Sequence, residues 1–180
     1  MEDTTISIIA MFIAMIIMFI VPLITIADRA DDIGQLIVQT ATASFVDDII
    51  KSGKITRDRY DKFLNELGTS MNTYDIDIEL KILDPNSSKR VTDNYSTIGK
   101  NAYYSLFSSQ IEDKLQLSDN DAISTGMIVL KEGDSISVTV KNSSTTLSQA
   151  LRGIYYKARG EEIHIIAGTA SGTISINGAT

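Results

Sequence analysis

ISIIAMFIAMIIMFIVPLITIA, residues 6–27, contains no charged side chain, and only Ser7 and Thr25 interrupt its apolar character. A helix crossing a hydrocarbon core of about 30 Å needs roughly 20 such residues. The core helix of a soluble domain seldom stays apolar on every face for that long. A cleaved secretory signal has a shorter apolar region, about 7–15 residues, behind a basic segment and before small residues. Here Glu2 and Asp3 make the flank acidic, and no small-residue cleavage site follows. The stretch reads as a retained membrane anchor.

Downstream the pattern becomes amphipathic without a break. Ile33, Leu36, Ile37, Ala41, Phe45, Ile49 and Ile50 recur mostly at three- and four-residue steps, and Gly53 supplies a stop. No turn signal separates this stretch from the anchor. One helix over residues 4–52 follows, about 70 Å long at 1.5 Å per residue. Pro22 is expected to kink it, because its ring removes one backbone bond and clashes with the carbonyl four residues back.

Beyond Gly53, a short helix capped by Thr56 is predicted to present Tyr60, Phe63, Leu64 and Leu67 on one face and to end at Gly68. The period then changes to two. Tyr74, Ile76, Ile78, Leu80 and Ile82 alternate with Asp75, Asp77, Glu79 and Lys81, which predicts a half-buried antiparallel strand. Residues 84–101 read as a loop, and residues 102–117 as a short helix or a mixed segment. Strands are expected at Gly126–Lys131 and Asp134–Lys141, separated by Glu132-Gly133. A helix follows, with an apolar stripe of Leu147, Ala150, Leu151, Ile154 and Ala158, basic Lys157 and Arg159 in its last turn, and Gly160 at its end. Glu161–Thr169 and Gly172–Asn177 are expected to form a hairpin across Ala170-Ser171. The fold class is α+β: a long N-terminal helix, then a small antiparallel sheet domain with helices packed on one face. The divisions are 1–27, the membrane half of the helix; 28–52, its amphipathic continuation; and 53–180, the head.

Composition narrows the function. The net charge of −7 and the acidic pI of about 4.6 disfavour a nucleic-acid partner, since phosphate needs a basic patch. With no Cys there are no disulfides, no thiol chemistry and no thiolate metal site, while the compartment is left open. Flanking charge does not set orientation, because only Arg29 is basic beside the anchor.

Chemical motifs are scarce. Asp75, Asp77 and Glu79 repeat at about 7 Å along one strand face. They could ligate calcium, but a solvated or Lys-paired face explains them better. Ser118-Asp119-Asn120-Asp121 lacks the Gly and distal Glu of a helix–loop–helix calcium site. The single His164 cannot build a zinc site alone, no GxSxG or SxxK nucleophile accompanies it, and it reads as an exposed strand residue. Gly168, Gly172 and Gly178 suggest turns or close backbone approach rather than a nucleotide cradle. Asn86, Asn94 and Asn142 begin sequons that matter only in a glycosylating host. No enzyme, cofactor or metal is expected.

The layout of a roughly 50-residue helix, apolar in its first half, followed by a sheet domain, resembles type IV pilins and pseudopilins. GKITRDRYDKFLNELGTSMNTYDIDIEL (53–80) and GDSISVTVKNSSTTLSQALRGIYYKARG (133–160) look like segments of pilin-like proteins from Gram-positive secretion and tight-adherence-type pilus operons. With Met1 as the first residue of a mature chain, Pro22 falls where that family commonly has a kink-forming proline. The family pattern departs at Thr5, where pilins carry a glutamate that neutralises the free amine of a neighbouring subunit. The nearest carboxylates are Glu2 and Asp3. No basic leader with a Gly precedes the apolar stretch, so the chain is read as mature or as not processed that way.

The resemblance implies a surface filament subunit, with its N-terminus starting on the cytoplasmic side and its head outside. It also implies a membrane-held state before assembly and pilus assembly machinery as a partner. Physical chemistry adds that an apolar helix leaves lipid only by packing against like helices, and that a repeat operation that does not close builds a helical homopolymer. Ala10, Met11, Ala14, Met15 and Met18 offer small and adaptable contacts for that packing, though the Met residues suit a lone anchor equally. The expected assembly residues are these five with Met1, Glu2, Asp3 and Pro22. The alternative is a monomeric membrane-anchored accessory or binding module of a secretion system.

Overall fold

A computed structural model of the chain describes residues 2–83, 103–116, 126–151, 153 and 165–178. Its first element is the expected continuous helix, α1, Glu2–Ser52, which runs through Pro22 without interruption. The apolar half is solvent-exposed, and the first buried side chain is Ala27. From there Val38, Ala41, Phe45, Val46 and Ile49 turn inward and become part of the core. Gly53 closes the helix at φ +61, donating its N–H to the Ile49 carbonyl at 2.8 Å.

The chain continues through β1 (Lys54–Thr56), α2 (Arg57–Gly68), β2 (Tyr74–Leu83), β3 (Tyr103–Phe107), α3 (Ser108–Gln116), β4 (Met127–Val129), β5 (Ser135–Asn142) and β6 (Ala167–Thr173). Four strands form an antiparallel sheet in the order β3-β2-β5-β6, and β1 pairs with β4 in a separate two-stranded ladder. The fold is α+β, as the pattern required. Ile78 and Leu80 of β2 stand opposite Val138 and Ile136 of β5, all buried against α1, Phe63 and Ile111. Between β2 and β5 the other face is polar: Asp75 lies opposite Lys141, Asp77 opposite Thr139 and Glu79 opposite Ser137. Opposite charges placed directly across a ladder are a favourable pair.

Several expectations are corrected. Residues 103–116 are the mixed segment, a strand followed by a helix. The strand at Gly126–Lys131 shortens to Met127–Val129, because it pairs with the unanticipated β1 rather than with the main sheet. In α2, Tyr60, Phe63 and Leu67 are buried, the first two against Phe45, whereas Leu64 is exposed. The helix ends at Gly68 as expected, whereas Thr56 stands at its N-cap without a side-chain cap bond.

The expected terminal hairpin does not form. Ala170-Ser171 sits in the middle of β6, a single strand paired with β5 from Ser135↔Thr173 to Lys141↔Ala167. The physical reason lies in α1. A Cβ on Gly168 would come within 2.9 Å of Val38 Cγ1 and 3.2 Å of the Val38 carbonyl oxygen. The glycine therefore marks the close helix–strand approach that was one of its two readings, and not a turn. The loop at 84–101, the turn at 118–121, His164 and the latter part of the third expected helix lie outside the described residues.

Candidate functional site

The feature that sets this molecule apart is α1. Its N-terminal half is long and apolar enough to cross a bilayer, and none of that stretch is covered by the rest of the chain. Met11, Met15 and Met18 are 70%, 52% and 74% exposed, and Ala10, Ala14 and Pro22 are exposed with them. At 3.6 residues per turn, Met11, Met15, Met18 and Pro22 form one stripe, with Ala10 and Ala14 on the adjoining side. Asp3 is also exposed, and its carbonyl accepts from Ser7 Oγ at 2.9 Å. Met1 and the Glu2 side chain lie outside the described set, so the expected pairing with the amine has no geometry here.

Where the exposed half ends, a row of polar bonds fastens the head to α1. Ser148 Oγ donates to Asp28 Oδ1 at 2.7 Å, and Thr146 Oγ1 donates to Asp31 Oδ2 at 2.8 Å. One helical turn further on, the Gln35 amide donates to the Ala167 carbonyl at 2.6 Å and accepts from the Ala167 N–H at 2.9 Å. Thr146 and Ser148 are 5% and 6% exposed. The segment that carries them opens as a helix through a reciprocal cap. Thr146 Oγ1 accepts from Gln149 N at 3.2 Å, while Gln149 Oε1 accepts from Thr146 N at 3.1 Å.

This junction was missed in the sequence. Leu147 and Ala150, expected in a buried stripe, are exposed, Leu147 at 56%, while Leu151 is half-buried. Local geometry explains the reversal: the polar cap residues flank the carboxylates of α1, and this turns the apolar side chains between them to water. The Thr-x-x-Gln spacing signals a helix start. Its partners on α1 lie 115 and 120 residues away and leave no sequence signal. Replacing Thr146 by Val and Ser148 by Ala should leave two carboxylates without these donors and remove the cap, which alone costs about 0.5–2 kcal/mol. We expect faster proteolysis and amide exchange near residues 144–150, with the circular dichroism of the head retained.

A concavity lies between α2, β2 and α3. This cleft of about 440 Å³ is lined by Tyr60, Leu64, Tyr74, Ile76 and Leu115, with carboxylates at Asp61, Asp75 and Glu112. Tyr60 donates to Glu112 Oε1 at 2.7 Å, and burial together with this acidic partner pushes its phenol above the ordinary range. On the outer sheet face, Asp75 and Asp77 are exposed, and Glu79 meets Lys81 at 3.7 Å and Ser105 Oγ at 3.0 Å. Among the described residues, no three His, Asp or Glu converge to hold a metal ion. No protein-family model, curated protein or solved structure matches this chain.

Proposed function

We propose that this chain is a structural subunit of a helical surface filament, held in the membrane by the first half of α1 and assembled through that half. The observation that carries the reading is the complete exposure of an apolar half-helix joined rigidly to a folded head. Such a surface is stable only in lipid or against like helices. A head fastened to one side of α1 at Asp28 and Asp31 leaves the remaining circumference open for those neighbours. The subunit is non-catalytic, its principal partner is itself, and assembly machinery moves it from membrane to fibre. Electron microscopy of surface material sheared from cells tests the reading, since only a filament subunit enters a pelletable fibre.

In a filament core the charged Met1 amine would be buried, and an unpaired buried charge costs several kcal/mol. Glu2 and Asp3 are the only acidic residues before Asp28. We expect Glu2→Gln with Asp3→Asn to leave the protein in the membrane fraction and to lower the fibre yield. An unchanged yield would remove these carboxylates from assembly and leave the anchor standing. The cleft between α2, β2 and α3 favours a second reading, a monomeric tethered binding module, which predicts no fibres from either version.

A further inference from the structure

Among the described residues, β2 has a strand on only one side between Tyr74 and Ile78. β5 pairs with it from Tyr74 to Lys81, but β3 joins only at Glu79, opposite Phe107. Ser108, at the start of α3, closes the step before β3. Its Oγ accepts from the Ile78 N–H at 2.7 Å and donates to the Ile76 carbonyl at 3.2 Å. These two backbone groups therefore point away from β5. In an antiparallel ladder that direction alternates from residue to residue, so the Ile76 N–H and both backbone groups of Tyr74 point the same way. Asn142, opposite Tyr74, agrees: its N–H turns away from β2 to the Ile166 carbonyl. Tyr74, Asp75 and Ile76 also form one wall of the cleft between α2, β2 and α3.

We infer that this edge and its cleft dock an extended segment of a partner protein, with one basic side chain, Lys or Arg, seated in the cleft. Backbone donors and acceptors at Tyr74 and Ile76 are completed by an added strand, which supplies affinity through main-chain bonds. Alternate side chains of such a strand stand on the cleft side. The cleft, about 440 Å³, has the size of a ligand site, for which about 300–1,000 Å³ is usual. Its lining suits a cation on an apolar stem. Tyr60, Tyr74 and Leu64 offer aromatic and aliphatic surface, and Asp61, Asp75 and Glu112 outweigh the single Arg57. Arg57 meets Asp61 at 3.8 Å, and Glu112 takes the Tyr60 phenol on Oε1. Asp75 and Oε2 of Glu112 are thus the oxygens placed to receive an incoming charge. Lys141, across the ladder from Asp75, forms no ion pair with it among the described residues. No lining residue belongs to α1, so the site serves a filament subunit and a single tethered head alike.

The full chain in uncharged detergent micelles is titrated, by fluorescence anisotropy, into two labelled peptides with blocked ends, Thr-Val-Arg-Val-Thr and Thr-Val-Gln-Val-Thr. The arginine peptide should bind on the order of tenfold more tightly, and the difference should shrink as salt is raised. Asp75→Asn with Glu112→Gln should remove most of that preference. Asp77→Asn with Asp113→Asn takes the same charge from outside the cleft and should keep it. None of these four carboxylates is fully buried, and Gln at 112 can still accept from Tyr60, so circular dichroism should be unchanged. N-methylation of the peptide bonds on both sides of the arginine keeps the cation, removes strand donors and should weaken binding to a similar degree. Equal binding of the two peptides, no binding of either, or equal loss in both double variants overturns the proposal. So does acetylarginine amide binding as tightly as the peptide, which would give the cleft to a free cation. Fibres without peptide discrimination would sink this docking site alone, and discrimination without fibres would sink the filament reading alone.

Discussion

Ile78→Asp should abolish folding of the head, while Asp77→Ser, one residue away, should hardly register. Ile78 is 1% exposed, flanked on its strand by Leu80 and opposed by Val138. The change forfeits about 1.5–3 kcal/mol of side-chain burial and places a carboxylate among aliphatic groups, at several kcal/mol more. A domain of this size is stable by only about 5–15 kcal/mol. Asp77 faces water beside Thr139, so its replacement removes no buried contact. Circular dichroism and limited proteolysis of both full-length variants in detergent check the pair. Equal effects would mean that β2 does not divide its two faces between core and water as described.

The second large effect is expected at Asp134, which the sequence presents only as the first residue of an expected strand. Its side chain is 1% exposed and accepts from two backbone donors, Leu83 N–H at 2.8 Å and Lys131 N–H at 2.7 Å. Its own carbonyl accepts from Ile174 N–H at 2.7 Å. One residue thus joins the end of β2, the turn before β5 and the exit of β6. Asp134→Ala leaves two N–H groups unsatisfied, at about 1–3 kcal/mol each, and should lower Tm by on the order of 10 °C. Asp134→Asn keeps one accepting oxygen and should lose roughly half as much. If the alanine and asparagine variants melt together near the parent temperature, the carboxylate is not the fastening described.

What could be read in advance follows from how strongly each element marks its own side chains. α1 carries an apolar run that passes into a period of 3.6, β2 carries an unbroken period of 2, and both occur where those patterns place them. β6 carries no such mark. Its inward positions are Gly168, Ala170 and Gly172, small because α1 presses against them, so the apolar surface of that contact belongs to Val38 and Ile50. β1 is three residues long and is defined only by its distant partner β4. The bonds from Asp28 and Asp31 to Ser148 and Thr146 join polar residues across most of the chain, and no local pattern encodes such a pairing. The exposed half of α1 was legible because its composition has only a few physical outcomes. The face it offers to a neighbour needed the position of the head.

The bond between Gln35 and Ala167 also sets a schedule. These residues are 132 positions apart. At about 5–20 residues per second, synthesis takes roughly 7–26 s to pass from one to the other. During that interval the inward face of α1, from Val38 to Ile49, exists without β5 and then without β6. The apolar half of α1 is complete before the strands that will cover its continuation, and the head closes only when its last strand arrives. Anything that shields the Val38–Ile49 face must therefore act for many seconds before the domain can fold.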